Sequence, residues 1–351
     1  MEYLKNKIII EDIKRMSDEI QELPNFFNKR ILITGATGMI ASYITALFIY
    51  LNEYKNANID LYMLYRNKSK LVSKFGEAVL KNKKLHLVEQ NINNSIMVDE
   101  DVDIIIHAAS NASAYSMVHD PIEIFDANII GTRNVLEFAK EHKVQHVHFL
   151  STREIYGATD GKDSINETSY GTLIPEDVRN AYPISKKAAE NLLALYSAKF
   201  NINYTISRIA HCYGPGMLIK NDGRIMSDLI GDVVAKRNIT LKSKGESKRA
   251  FIYVTDVVEA VLKIISKGNI RNAYNVANET EELTIYSLAT MLTKLFGERS
   301  ASVKIDIQGN TGGYLKTKRV PLNVEKLNRL DWKPRIELRK GLMKTVDSFI
   351  E

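Results

Sequence analysis

The chain has 351 residues, 45% apolar and 26% charged, with a formal net charge of +6, enough for one large α/β core or a core with a smaller lobe. Its basic residues are mostly scattered lysines, which excludes a dense nucleic-acid footprint, and its single cysteine, Cys212, excludes an internal disulfide framework. No apolar run is long enough to span a bilayer. The expectation is a cytoplasmic protein with no membrane or nucleic-acid partner and no metal site.

Residues 1–28 read as a helical extension. Ile9, Ile13, Met16 and Ile20 recur at helical spacing, giving an amphipathic helix that packs on the main body and ends before Pro24. From Arg30 the chain reads R-I-L-I-T-G-A-T-G-M-I-A-S. Ile31 to Ile33 form a buried strand of a parallel sheet. Gly35 allows the tight turn. Gly38 lets backbone N–H groups approach a pyrophosphate at the positive end of a helix running from Met39 to about Leu51. Gly35, Thr37, Gly38, Met39 and Ile40 are therefore the first candidates for cofactor contact.

The second strand, Ile59 to Tyr65, ends at Arg66-Asn67-Lys68. An acidic residue there would accept hydrogen bonds from the adenosine ribose and favour NAD(H), whereas a guanidinium pairs with a 2′-phosphate. Arg66, with Asn67 beside it, accordingly favours NADP(H). Stacking of Arg66 on adenine with either cofactor bound is the alternative. The third strand, Leu85 to Val88, brings Asn91 and Ile92 to the adenine edge. The fourth, Val102 to His107, runs into Ala108, Ala109 and Ser110, small enough for the backbone to pass close to the cofactor.

A long helix begins at Pro121, and the fifth strand, Val147 to Leu150, delivers Ser151-Thr152-Arg153-Glu154-Ile155-Tyr156-Gly157. After a loop of about twenty residues, a length uncommon without function, Arg179-Asn180-Ala181-Tyr182-Pro183-Ile184-Ser185-Lys186 opens a helix to about Lys199. The sixth strand, Tyr204 to Ile209, precedes His211-Cys212-Tyr213-Gly214-Pro215. Cys212 lacks a thiolate-activating motif and reads as a packed thiol. Beyond Pro215 the elements shorten, with one more strand at Tyr274 to Val276 and a helix after Thr284. The expected division is the extension, an NAD(P)-binding domain over 29–210, and a substrate lobe over 211–351 interleaved with the end of the main sheet.

The chemistry concentrates at three residues. A phenol is a poor acid or base at neutral pH unless a nearby ammonium stabilises its phenolate. The four-residue step from Tyr182 to Lys186 puts both side chains on one helix face. Thr152, at the end of the fifth strand, would share a hydrogen bond with a substrate carbinol while a nicotinamide exchanges the hydride.

The motifs T-G-A-T-G-M-I-A, H-A-A-S, N-I-I-G-T-R-N, S-T-R-E-I-Y-G, Y-P-I-S-K, H-C-Y-G-P-G and K-R-A-F-I-Y-V-T-D together resemble the extended short-chain dehydrogenase/reductases, also called NAD-dependent epimerase/dehydratases. The resemblance runs from Arg30 to about Phe349. It implies a doubly wound parallel Rossmann sheet with a C-terminal lobe that grips a nucleotide-diphosphate sugar. It makes Thr152 the catalytic hydroxyl, Tyr182 the acid/base and Lys186 the lysine that also holds the nicotinamide ribose, with Ile209 among the cofactor contacts. Arg249 matches an arginine that pairs with the substrate diphosphate. Asn128 matches the asparagine of N-x-x-G-T, which packing explains as well. His211 stands where an asparagine is usual beside the substrate phosphates, and a satisfied core histidine is its other reading. Arg179 and Arg224 are further substrate candidates.

The resemblance is strongest to nucleotide-sugar decarboxylases and 4,6-dehydratases. Dehydratases carry T-D-E after the fifth strand, the Asp protonating the departing hydroxyl and the Glu removing a proton. Here the triplet is Thr152-Arg153-Glu154. The Glu is kept, but Arg153 cannot donate a proton at neutral pH; it reaches a substrate anion or pairs with Glu154 instead. With NADP(H) favoured, the leading expectation is NADPH-dependent reduction of a nucleotide-linked keto sugar in surface polysaccharide synthesis. The alternative is internal redox in an epimerase, decarboxylase or dehydratase. A homodimer through the helices near Pro121 and Tyr182 is also implied.

Overall fold

The computed structural model describes residues 1–159, 161–220, 222–306 and 319–351. Seven parallel strands form the central sheet: β1 (Arg30–Thr34), β2 (Asp60–Tyr65), β3 (Leu85–Glu89), β4 (Ile104–His107), β5 (His146–Thr152), β6 (Tyr204–Ile209) and β7 (Asn272–Val276). Their order is β7-β6-β5-β4-β1-β2-β3. The chain therefore winds one way from β1 to β3 and the other way from β4 to β7. The crevice between β1 and β4, at the carboxyl ends of the strands, is where such sheets bind ligands. Strand β1 is buried from Ile31 to Thr34, as a strand covered on both faces must be.

Eleven helices are described: α1 (Lys7–Glu19), α2 (Met39–Lys55), α3 (Lys68–Phe75), α4 (Ala114–His119), α5 (Pro121–Glu141), α6 (Ala181–Phe200), α7 (Ile225–Val234), α8 (Val254–Lys267), α9 (Ile285–Leu295), α10 (Glu325–Asn328) and α11 (Leu338–Ile350). Helix α2 is apolar on nearly every face, so it needs cover beyond the sheet. The extension supplies it: Ile9, Ile13 and Met16 of α1 are fully buried. The helix stops at Glu19, short of Pro24, which instead opens a 3-10 turn. A buried polar knot locks α1 in place. Asp12 accepts from the Tyr253 hydroxyl at 2.7 Å and the Tyr43 hydroxyl at 3.3 Å, and Lys344 of α11 lies 3.0 Å away.

The strand expected at Tyr274 begins at Asn272 and pairs with β6 at the sheet edge. Helix α8, just before it, is buried from Val254 to Ile264 and packs on α2 and β6. Residues 254–276 thus belong to the sheet layer although they follow the first lobe segment. The remaining segments carry short strand pairs, among them Lys248–Arg249 with Leu283–Thr284 and Val303–Ile305 with Ile239–Leu241. No described helix is long and apolar enough to cross a membrane.

Candidate active site

Strand β1 ends at Thr34, whose hydroxyl oxygen accepts from the Ala108 and Ala109 N–H groups, both at 3.2 Å. It lies 2.7 Å from His107 Nδ1, and His107 Nε2 lies 3.0 Å from the Thr132 hydroxyl. Burial drives the His107 imidazole down to about 3, with Lys186 adding to the effect, so this brace is neutral. It ties the glycine turn to the end of β4. Gly35 has φ +65°, and a Cβ there would lie 2.7 Å from Ala109 Cα. A side chain at this turn is excluded twice, by backbone and by neighbour.

Helix α2 starts at Gly38 with no side-chain cap, which leaves the N–H groups of its first turn for an anion. Ser110 Oγ, at the mouth of the turn, is buried without a partner. An uncapped helix end, a turn that accepts only glycine and an orphaned hydroxyl fit a dinucleotide, which Gly35, Thr37, Gly38, Met39, Ile40, Ala108, Ala109 and Ser110 would hold. Ile92 is buried against α5, and its carbonyl accepts from Asn134 at 2.9 Å, while Asn91 is exposed. Arg66 is exposed and forms an ion pair with Glu123 in the first turn of α5. Asn67 caps α3 by accepting from Lys70 N–H at 2.8 Å.

Helix α6 lies beside β5 and brings Tyr182 to Thr152. Burial raises the Tyr182 phenol, the Glu154 carboxylate adds to the rise, and the Thr152 hydroxyl and Arg224 oppose it. Lys186 donates to the Leu150 carbonyl at 2.7 Å and stands 4.4 Å from the Phe149 ring centroid; burial takes its amine down to about 7. Burial is thus the largest influence on both the phenol and the amine. The two side chains share a helix face, but the ammonium is turned to the strand carbonyl, and burial governs the phenol. Asn128 of α5 donates to Ser185 at 2.9 Å, keeping α5 against α6. Ile209 ends β6, half-buried.

Glu154 follows in a 3-10 turn, its N–H donating to Thr152 Oγ1 at 3.2 Å. Burial raises its carboxyl, while Arg179, Arg153 and Arg224 oppose the rise. Arg224 is oriented by buried Asp222, which accepts from its Nε at 2.5 Å. Arg153 does not form a surface pair with Glu154. It turns away to His211 Nε2 at 3.3 Å and donates to the Val320 carbonyl at 3.1 Å.

His211 sits at φ +42°, a backbone state that is costly for a side chain of this kind. Burial and three guanidiniums (Arg153, Arg249 and Arg319) push its imidazole far below the usual range. Arg249 donates to the Lys248 carbonyl at 2.7 Å. Arg319, its side chain 5% exposed, pairs with Glu279 and Glu282. Sequence reasoning missed Arg319, which follows two lysines in K-T-K-R-V-P and carries no local signal. The structure thus gathers Thr152, Glu154, Tyr182, Lys186, Arg179 and Arg224 at the end of β5, next to an arginine cluster of Arg153, Arg249 and Arg319 around His211. Arg66 and Asn67 stand apart at the end of β2.

The sequence profile described as the NAD dependent epimerase/dehydratase family matches residues 31–277. The chain belongs to that family. It is an enzyme of the extended short-chain dehydrogenase type, and the extension before β1 lies outside the matched residues. Across 319 residues it is 28% identical to UDP-glucuronic acid decarboxylase 3 of Arabidopsis thaliana, covering 90% of this chain and 87% of that one. With dTDP-D-glucose 4,6-dehydratase of Homo sapiens the identity is 27% over 340 residues, 94% of this chain and 92% of the other. Among solved structures, UDP-glucuronic acid 4-epimerase from Bacillus cereus, in complex with UDP-glucuronic acid and NAD, aligns with a TM-score of 0.76 at 22% identity, covering 92% of this chain and 99% of that chain. That likeness is one of fold.

Proposed function

We propose that the enzyme carries out internal redox on a nucleotide-diphosphate sugar, oxidising one carbinol and re-reducing the same sugar with a retained nicotinamide cofactor. This replaces net NADPH-dependent reduction as the leading reading, because the relatives named above are a decarboxylase, a dehydratase and an epimerase. The observation that carries it is the pairing of a phenol, a hydroxyl and a carboxylate at the end of β5 with three guanidiniums beside them. The first set handles a proton and the second an anionic leash.

A nicotinamide dinucleotide held by Gly35, Thr37, Gly38 and Ser110 in the β1–α2 cradle would supply the hydride chemistry at the carbinol carbon. Tyr182 takes the carbinol proton and gives it back, with Thr152 holding the same oxygen. Lys186 and the Leu150 carbonyl fix the strand from which Thr152 projects. Glu154, its carboxyl raised, is the remaining proton carrier. Arg249, Arg319 and Arg153 bind the diphosphate, with neutral His211 as their hydrogen-bonding companion and Arg179 and Arg224 near the sugar. Elimination of water is disfavoured, since position 153 holds a guanidinium that has no proton to give.

The test is a panel of UDP- and dTDP-linked hexoses and uronic acids, with products identified by mass and the reduced-nicotinamide absorbance followed throughout. Conversion without net change in that absorbance supports the reading. Stoichiometric consumption of added NADPH, or a product lighter by one water, overturns it.

A further inference from the structure

Tyr182, Lys186 and Glu190 recur every fourth residue along α6 and so form one row. Strand β5 meets that row at successive residues. Thr152 stands beside Tyr182. Leu150 offers its carbonyl to Lys186 at 2.7 Å. Between them, Ser151 donates its hydroxyl to Glu190 at 2.6 Å.

Glu190 is in turn gripped from β6. Arg208 Nε lies 3.1 and 3.2 Å from its two oxygens, and Nη2 donates at 2.7 Å. Both side chains are nearly buried, at 13% and 10% exposure. Arg208 Nη1 donates onward to the Tyr156 hydroxyl at 2.9 Å and the Glu167 carbonyl at 2.8 Å. Tyr156 donates to Asn275 Oδ1 at 2.6 Å, and Asn275 Nδ2 donates to the Ile165 and Asn323 carbonyls at 3.0 and 2.9 Å. The network thus runs from the middle of α6 to the segment that follows Arg319. An ion pair this deep is weak as a source of stability, because desolvation offsets its attraction. Its geometry, however, fixes three elements at once.

We propose that Glu190, anchored by Arg208, is the positioning residue of the active site, setting β5 against α6 so that Thr152 and Lys186 keep their places. The proposal rests on the catalytic reading of Thr152, Tyr182 and Lys186 given above. A second effect follows from the same placement. The groups that face Lys186 are Tyr182 and Glu190 on its own helix, neutral His107 from β4, the Phe149 ring and Leu150 carbonyl from β5, and Arg208 beyond Glu190. The Glu190 carboxylate opposes the burial that drives Lys186 towards its neutral form.

Glu190→Gln keeps the shape and an acceptor oxygen but removes the charge, while Ser151→Ala removes the tether to β5. The Lys186 amine is titrated by NMR in protein carrying ¹³C at lysine Cε, with Lys186→Met providing the assignment; kcat and KM are measured on a substrate found by the panel. The expected result for Glu190→Gln is a Lys186 midpoint lowered by roughly half a pH unit or more, with kcat down about tenfold or more and KM little changed. Ser151→Ala lowers kcat and leaves the midpoint in place. An unmoved midpoint in Glu190→Gln, or a kcat within about twofold of wild type in both variants, overturns the proposal. If Glu190→Gln does not fold, kcat of Ser151→Ala decides. The titration needs no turnover, so its failure is distinct from failure of the assigned reaction.

Discussion

Where α6 faces β5, Glu190 meets Arg208, Lys186 meets a carbonyl and Ser151 meets Glu190. Around His211 like charges crowd instead. Arg319 has Glu279 and Glu282, yet Arg153 has a neutral imidazole and a carbonyl, and Arg249 a carbonyl. The shifts of Arg153 and Arg249 are downward, from burial first and from Arg319 next, and Arg249 lowers Arg153 as well. One region is electrostatically complete in itself. In the other, the proposed diphosphate would offset the crowded positive charge.

The comparison breaks most directly at Tyr182. Tyr182→Phe is expected to lower kcat by about three orders of magnitude while leaving the binding of dinucleotide and substrate near wild type, measured by calorimetry. Next comes Arg249→Ala, which removes a charge-assisted contact of about 1.5–3 kcal/mol. It should raise the substrate Kd by roughly 10- to 100-fold without a matching fall in kcat. Because the partner is an anion, wild-type Kd should also rise with salt. Arg153→Met sharpens the contrast further: Kd rises, and urea unfolding shows a protein more stable by about 1 kcal/mol, as expected when a crowded buried charge is replaced by an apolar group.

The smallest effect concerns Lys74, behind the glycine turn. Its amine donates to Tyr3 and Ser42, each at 3.2 Å, and burial lowers it to about 7. Folded, it binds a proton less readily than unfolded. Between pH 7 and the reference value near 10.4 the unfolded chain therefore carries the extra proton, and stability climbs as pH rises; below that window the full penalty is present. Lys74→Met should flatten the climb, read as the change in urea midpoint between neutral and alkaline pH.

What could be read from the residues follows from where the forces are local. The turn at Gly35 and Gly38, the buried β1 and the Tyr182–Lys186 step were legible because backbone freedom, apolar runs and helical spacing act over a few residues. Lys186 was placed on the right face, but spacing does not say where an amine points, and the carbonyl of Leu150 is a tertiary partner. Arg153 was read as a substrate anion contact or a partner of Glu154; only the fold sets it against His211 and Val320. Arg319, Glu190 and Arg208 gave no signal, since their partners lie between 18 and 52 residues away. Helix α1 ends at Glu19, before Pro24 as its spacing implied, though the residue at which it stops carries no local signal.

The knot at Asp12 has a practical corollary. Deleting residues 1–29 would strip the lid from α2 and leave Tyr43, Tyr253 and Lys344 without the carboxylate they share. Such a shortened product should emerge as aggregate, with its oily helix face bare to water.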